Sequence, residues 1–205
     1  MDERLFFSAT QRNRSSIEKV LCKYLPKKGY VLEIASGSGE HGVNFQELFP
    51  RITWQTSDPD PIHRKSITAW ISQKGLEEEM PQPLDIDVEK IPWNLNHEIK
   101  SNLKFIICIN LIHISPWSCT ESLFEESTNL LKSEDSLMLY GPFKINGEHT
   151  SSGNDLFDKS LKSMDKKWGV RDLDAVDAVA GLNGFRKFQL IEMPANNFSV
   201  IFRKR

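Results

Sequence analysis

The most informative stretch of the chain is residues 31–42, where an apolar run leads into three glycines. Gly37, Gly39 and Gly42 fit the spacing G-x-G-x-x-G, and glycines at a strand–helix turn let the backbone approach a ligand where a Cβ would clash. The helix that follows such a turn offers free N–H groups to polar or anionic ligand groups. Asp58 lies 21 residues after Gly37, at the end of the next apolar run, where a carboxylate can bind two ribose hydroxyls. The pattern predicts a site for a nucleoside-bearing cofactor.

Glu33 indicates which nucleoside this is. It stands at the end of the predicted strand, four residues before Gly37. In dinucleotide folds the glycines follow the strand directly and seat a pyrophosphate, which a carboxylate here would repel. The same carboxylate would attract the α-ammonium group of S-adenosylmethionine, a group that NAD lacks. We therefore expect S-adenosylmethionine. A nicotinamide dinucleotide remains the alternative, because the glycine spacing also fits it.

Apolar runs alternate with helical patterns along the chain, which is typical of a parallel α/β sheet. Helices are predicted over residues 15–25, 40–49, 61–75, 121–131, 154–164 and 172–182. Strands are predicted over residues 29–35, 52–57, 83–88, 105–110, 136–140, 187–193 and 198–203, the last two as a hairpin around residues 194–197.

Length and composition narrow the classes of protein to which the chain can belong. The chain has 205 residues, 39% of them hydrophobic, 26% charged, and a net charge of −2. These values fit one soluble globular domain over residues 1–205 and provide no overall field for nucleic acid or an anionic membrane. Cys22, Cys108 and Cys119 form no CxxC pair, which argues against a disulfide scaffold or a zinc module and favours a reducing compartment such as the cytoplasm. The first residues are not typical of a signal peptide, and no apolar run approaches the ~20 residues that span a bilayer.

The segment Val31-Leu-Glu-Ile-Ala-Ser-Gly-Ser-Gly39 resembles motif I of the class I S-adenosylmethionine-dependent methyltransferases. Asp58 falls where that family has its ribose-binding acid, and Asp87 and Val88 resemble the segment that frames the adenine. Residues 110–114 resemble the segment that faces the substrate. The family's fold implies a Rossmann-like seven-stranded sheet, mostly parallel, with an antiparallel C-terminal hairpin strand and helices on both faces.

One residue departs from this motif, because Ala35 stands where the first glycine is usual; its methyl group is expected to alter how the methionine tail lies. The cofactor-binding residues that we expect are Glu33, Ala35, Gly37, Gly39, His41, Asp58, Asp87, Val88 and Asn110.

A closer resemblance covers residues 7–202. Segments 32–37, 57–60, 113–117, 140–143 and 194–197 are similar to those of the methyltransferase-like protein 26 family, a domain of unknown function. This resemblance implies a fold and a cofactor but no substrate.

Substrate residues are expected after the strands, because ligands of such sheets bind at the carboxyl ends of the strands. Asn110 and His113 follow the fourth predicted strand, and Tyr140 ends the fifth. Methyl transfer from a sulfonium requires a nucleophile held in line, ~3–3.5 Å from the methyl carbon. His113 is the candidate base, since its ordinary pKa is near neutrality, and Asn110 and Tyr140 complete the catalytic set. The alternative is that His113 merely bonds a loop carbonyl.

The substrate pocket is expected to be lined by Arg12, Asn13, Trp117, Phe143, Asn196 and Asn197. Residues 1–14 are predicted to form an N-terminal arm or flap. Residues 144–170 are predicted to form a polar loop and an extra helix near the substrate. His63, His97 and His149 stand among polar residues and are expected to be solvated.

These observations favour an S-adenosylmethionine-dependent methyltransferase that acts on a small molecule, as a monomer or homodimer, without metal, nucleic acid or membrane. Neither Asn-Pro-Pro-Tyr nor Asp-Pro-Pro-Tyr follows the fourth predicted strand, which argues against methylation of an adenine or a glutamine amide. Three alternatives stay open: an NAD(P)-dependent oxidoreductase, a non-catalytic cofactor-binding module, and a protein or RNA methyltransferase that works with a partner.

Overall fold

The computed structural model describes residues 2–205, and Met1, the first residue of the predicted arm, lies outside the described residues. The helices are α1 (Ser8–Tyr24), α2 (Glu40–Leu48), α3 (Pro61–Lys74), α4 (His97–Asn102), α5 (Trp117–Leu130), α6 (Ser152–Met164) and α7 (Leu173–Leu182). The strands are β1 (Gly29–Ile34), β2 (Ile52–Thr56), β3 (Leu103–Ile109), β4 (Ser136–Gly141), β5 (Phe143–Ile145), β6 (Glu148–His149), β7 (Arg171–Asp172), β8 (Phe185–Met193) and β9 (Asn197–Lys204). The chain forms two compact units that divide after Ile107.

The main sheet has six strands in the order β2-β1-β3-β4-β9-β8, and β6, β5 and β7 form a separate small sheet. The mostly parallel α/β fold is confirmed, and β9 pairs antiparallel with both β4 and β8, as the predicted hairpin requires. The predicted count of seven strands is wrong. The segment predicted as the third strand contributes only an isolated bridge between Ser57 and Leu84. Pro81 and Pro83 precede that bridge and have no N–H to donate to a ladder.

In the first unit, β1 and β2 pair in parallel, with Glu33 opposite Thr56. Helix α1 begins at Ser8 rather than at residue 15, so that only residues 2–7 of the predicted arm precede a helix. Its buried residues recur every three or four positions, at Thr10, Asn13, Ile17, Val20 and Leu21, which is the spacing of one helix face.

In the second unit, the predicted polar loop begins as a hairpin. Asn146 and Gly147 both have positive φ, of 51° and 80°, and join β5 to β6 in a two-residue turn that suits these residue types. Helix α6 follows, with the Ser151 hydroxyl accepting a hydrogen bond from the Asn154 N–H. Within residues 2–205, no helix is long and apolar enough to cross a membrane.

Candidate functional site

The glycine loop connects β1 to α2 and contains three residues in the left-handed region. Ala35, Gly37 and Gly39 have φ of 56°, 57° and 90°. A glycine adopts such angles without cost, whereas an alanine is strained there by about 1 kcal/mol. The one departure from the methyltransferase motif therefore falls where the backbone favours glycine.

Two of the glycines are explained by packing. A Cβ on Gly39 would lie 2.8 Å from Cγ1 of Ile67, and a Cβ on Gly42 would lie 2.6 Å from Cγ2 of Thr56. Both approaches are closer than real Cβ atoms make, so α2 can pack against α3 and β2 only with glycine at these positions. The third glycine of G-x-G-x-x-G thus needs no ligand to account for it.

The Asp58 carboxylate lies beside the glycine loop and is only 4% exposed. Its Oδ2 accepts a hydrogen bond from the Gly37 N–H at 2.9 Å. Its Oδ1 accepts from the Asp60 N–H and from Nδ1 of His63, each at 3.0 Å. The structure thus brings together the loop and the acid that the sequence pairs across 21 residues.

Glu33 lies deeper, with 1% of its surface exposed. The indole N–H of Trp54 donates to Oε2 of Glu33 at 2.9 Å, and the Ser57 hydroxyl donates to its main-chain oxygen at 2.7 Å. Burial raises the pKa of Glu33 to about 7, partly opposed by hydrogen bonds from Trp54 and Ser36, while the negative charge of Asp58 adds to the rise. At neutral pH, the Glu33 carboxyl group is therefore protonated in a substantial fraction of the molecules.

A second carboxyl group, on Glu40, occupies the start of α2. It is buried, and its Oε2 accepts from the Ser38 hydroxyl at 2.9 Å and from the Phe7 N–H at 2.8 Å. A helix N-terminus attracts anions, and here the protein's own carboxylate lies at that position. Sequence reasoning missed Glu40, although an acid directly after a motif glycine was visible.

His41 and Asn13, predicted to contact cofactor and substrate respectively, bind each other. Nε2 of His41 donates to Oδ1 of Asn13 at 2.8 Å, and the ring stacks on Phe45. Burial lowers the pKa of His41 to about 3, and the positive charge of Arg14 adds to this. His41 is a neutral structural donor in this arrangement. The neighbouring Arg12 is exposed.

The predicted adenine segment is tied to the strand that ends at Asp58. Leu84 donates its N–H to the Thr56 carbonyl and accepts from the Asp58 N–H, both at 3.0 Å. Three residues later, the half-buried Asp87 pairs with Lys90 at 3.1 Å, and Val88 is buried.

In the second unit, the side chains of Asn110 and His113 approach Gly141, which follows Tyr140 at the end of β4. Asn110 has a φ of 60° and donates its N–H to the Tyr140 carbonyl at 2.9 Å. A Cβ on Gly141 would lie 3.1 Å from Nδ1 of His113 and 3.7 Å from Oδ1 of Asn110. The side chains of Asn110 and His113 therefore lie close together, and the main chain of Tyr140 is attached to that of Asn110.

His113 is 3% exposed, and its buried Nδ1 has no hydrogen-bond partner within residues 2–205. The ring meets the edge of Phe157, with centroids 5.6 Å apart. Burial, with a smaller contribution from the positive charge of Arg171, lowers the pKa of His113 to about 4. The imidazole is thus neutral at physiological pH. An unpaired buried ring nitrogen is costly unless a ligand uses it.

Arg171, which sequence reasoning missed, holds the segment that carries His113. Its guanidinium donates to the main-chain oxygens of Ile112 and Ser115, at 2.8 and 2.5 Å, and lies over the Trp117 ring. Nothing in the local sequence linked Arg171 to a loop more than fifty residues earlier.

The other residues predicted to line the substrate pocket make contacts within the fold. Phe143 is buried in the core. Asn196 accepts a hydrogen bond at its carbonyl from Nδ2 of Asn154, and Asn197 donates to the Pro194 carbonyl, each at 3.0 Å. These bonds close the hairpin turn and attach it to α6.

Two histidines expected to be solvated are paired with aspartates, so that expectation was wrong. The side chain of His63 is 30% exposed and bonds Asp58. Nε2 of His149 lies 3.3 Å from Oδ2 of Asp158, and its side chain is 17% exposed.

A comparison with protein-family models matches residues 4–204 to the family described as "Protein of unknown function (DUF938)". The chain belongs to the DUF938 family.

Several solved structures similar to this DUF938 chain are methyltransferases. An O-methyltransferase family protein from Burkholderia thailandensis superposes with a TM-score of 0.78 at 12% identity, over 96% of this chain and 57% of that one. Human N-acetylserotonin methyltransferase in complex with S-adenosylmethionine gives 0.73 at 16% identity, over 96% and 52%. An O-methyltransferase family 2 protein from Planctomyces limnophilus in complex with apigenin gives 0.75 at 14%, over 96% and 61%.

The DUF938 chain thus spans between 52% and 61% of the length of these three structures. At such low identity the likeness establishes the fold alone, which this chain shares with these methyltransferases.

Proposed function

We propose that this DUF938 chain binds S-adenosylmethionine and transfers its methyl group to a small molecule. The observation that carries the proposal is the buried Asp58 carboxylate bonded to Gly37 of the glycine loop. This pair provides a carboxylate for ribose hydroxyls beside a backbone that a ligand can approach closely. The fold it shares with methyltransferases supports the same conclusion.

Two carboxyl groups near the loop favour this cofactor over a dinucleotide. Glu40 occupies the helix start where a dinucleotide fold seats its pyrophosphate, and Glu33 ends the preceding strand. Both would repel a pyrophosphate. An ammonium group near Glu33 would instead favour its ionised form and draw its pKa down from about 7. The oxidoreductase alternative rested on the literal G-x-G-x-x-G spacing, and packing against Thr56 explains the third glycine of that spacing.

The remaining cofactor contacts are proposed from the methyltransferase motif. Ala35, Gly37 and Gly39 would face the methionine portion, and Asp87 and Val88 the adenine. His41 would act indirectly, because its Nε2 is already used by Asn13.

On the acceptor side, we propose that His113 binds the acceptor group through Nδ1, with Asn110 and Tyr140 beside it. The acceptor's lone pair attacks the methyl carbon in line, the C–S bond breaks, and its electron pair returns to sulfur, leaving S-adenosylhomocysteine. The acceptor's proton passes to Nδ1 of His113. Because burial and Arg171 both disfavour positive charge at this ring, His113 is a weak base, and an acidic hydroxyl suits the site better than an ammonium group.

Isothermal titration calorimetry tests the cofactor assignment. We expect micromolar binding of S-adenosylhomocysteine and no binding of NAD⁺ to the same preparation. Binding of NAD⁺ without binding of S-adenosylhomocysteine would contradict the proposal. Native mass spectrometry of the purified protein gives an independent result, since a retained nucleoside is identified by its mass.

The finer predictions belong to the same proposal: kinship with methyltransferase-like protein 26, a cytoplasmic location, and a monomer or homodimer that acts on a small molecule. Size-exclusion chromatography with light scattering measures the oligomeric state directly.

A further inference from the structure

Residues 5–7, here called the strap, immediately precede α1 in the chain and are attached to α3. The Leu5 N–H donates to the Ser66 hydroxyl at 2.8 Å, and the Trp70 indole donates to the Leu5 carbonyl at 3.0 Å. The Phe6 ring meets Trp70 edge-on at 5.1 Å. The strap is thus held at its beginning by side chains of one helix.

The end of the strap is held by the start of another helix. The Phe7 N–H donates to Oε2 of Glu40, which also accepts from Ser38. Bonds to a carboxylate removed from water are stronger than neutral ones. Glu40 therefore connects the strap directly to the glycine loop.

The Phe7 ring covers Gly37 of the glycine loop and is connected to Asp58 through His63. Its Cε2 lies only 3.0 Å from where a Cβ on Gly37 would stand, so the ring lies against the bare backbone of the loop. The Phe7 ring also makes an edge-to-face contact with the His63 ring; the two centroids are 5.7 Å apart and the ring planes are at 80°. His63 in turn bonds Asp58.

The hydrogen bonds of Asp58 indicate how a ligand would enter. Two of its three donors are backbone N–H groups of Gly37 and Asp60, fixed by the turns that contain them. The third is the side chain of His63, which can rotate. A ribose hydroxyl that replaces it must move the ring on which Phe7 rests, so ribose binding and strap position are linked.

We propose that the strap is a lid that controls exchange of the nucleoside cofactor, with Phe7 as its closing residue and the Phe7–Glu40 hydrogen bond as its latch. This inference rests on the proposed function. The side chains of the lid suit opening as well as closure, since Phe6 is 56% and Phe7 38% exposed in the closed arrangement. Rings that stay partly in water lose less on release than buried ones.

The test is the dissociation rate of S-adenosylhomocysteine, measured by stopped-flow competition after calorimetry of the wild-type protein. Phe7→Ala is expected to release the ligand ~10-fold faster or more, because losses of packing at a binding site act mainly on dissociation. Leu48→Ala is the matched control, since Leu48 is a partly exposed apolar residue at the far end of α2. It should release the ligand at the wild-type rate.

A second variant keeps the ring and weakens the latch. Glu40→Gln retains the size of the side chain but removes its charge, and should also speed release while leaving the circular dichroism spectrum unchanged. In the ligand-free protein, hydrogen exchange at the amides of Gly37 and Gly39 should be faster in Phe7→Ala than in wild type, which detects the cover without any ligand.

The outcomes separate the two proposals. If wild type does not bind S-adenosylhomocysteine, the proposed function fails and the lid fails with it. If wild type binds, and Phe7→Ala and Glu40→Gln release the ligand at the wild-type rate, the lid alone is refuted. Tighter binding by Phe7→Ala with unchanged or slower release would mean that the ring competes for the site, which also overturns the proposal.

Discussion

His41 and His113, one in each unit, are both buried histidines held neutral, with pKa values lowered to about 3 and about 4. They differ in their partners. His41 bonds Asn13, whereas Nδ1 of His113 has no hydrogen-bond partner among the residues that the structure describes. A buried polar atom that is paired stabilises the fold, and one left unpaired costs stability and marks a place where a ligand can bind. The difference gives His41 a structural role and supports the acceptor role that we propose for His113.

The largest effect is expected at the glycine loop and separates cofactor binding from acceptor binding. Asp58→Ala removes hydrogen bonds to an ionised group, worth about 1.5–3 kcal/mol each, and should weaken S-adenosylhomocysteine binding roughly 100-fold. His113→Ala should leave that affinity within about threefold, because His113 is assigned to the acceptor. Titration calorimetry measures both, with thermal melts to show that each variant folds. Wild-type affinity in Asp58→Ala would remove the basis of the cofactor site.

The second prediction tests whether both histidines are held neutral. Below its ordinary pKa of 6.5, each is protonated in the unfolded chain before it is protonated in the folded one. Stability should therefore fall by roughly 3 kcal/mol as pH drops from 6.5 towards 4 for His113, and by roughly 5 kcal/mol as pH drops from 6.5 towards 3 for His41.

Glu33 acts in the opposite direction, since its raised pKa stabilises the fold as pH falls from 7 to 4.5. The measurement is therefore a difference between urea denaturation at pH 7 and pH 4.5. His41→Leu and His113→Leu should each lose less stability than wild type over this interval. Equal losses in wild type and variant would show that the replaced histidine is not held neutral.

A third prediction sharpens the contrast at a single pH. At pH 7, His41→Leu leaves the Asn13 amide buried without its donor and should cost about 1–3 kcal/mol. His113→Leu leaves no partner unsatisfied at Nδ1 and should change the free energy of unfolding by less than about 1 kcal/mol. Urea denaturation compares the two. A His113→Leu variant as unstable as His41→Leu would indicate that His113 is structural as well.

The smallest effect is expected at Ala35. Glycine at this position relieves the left-handed strain of about 1 kcal/mol but raises the entropy of the unfolded chain by a similar amount. Ala35→Gly should therefore shift stability by less than about 1 kcal/mol and leave the His41 and His113 regions unaltered. A loss above about 2 kcal/mol would show that the alanine methyl group packs in a way that the loop requires.

Most of the fold could be predicted from the sequence, because the periodicity of apolar residues follows directly from strand and helix geometry. The exceptions were the third strand, the start of α1, the short helix α4 and the small sheet of β5, β6 and β7. Prolines at 81 and 83 reduced one strand to a single bridge, and the polar residues before Ser15 concealed the helical spacing of Thr10 and Asn13.

The candidate site likewise has features that the sequence predicts and features that depend on the tertiary structure. The sequence by itself determined that glycines and Asp58 follow neighbouring strands, because residue type and spacing carry that information. Only the tertiary structure decided which polar groups pair: Asn13 with His41, Phe7 with Glu40, His63 with Asp58, and Arg171 with the His113 segment. The physical reason is that a hydrogen bond between residues far apart in the chain depends on direction and distance in space. No local pattern of residue types encodes either quantity.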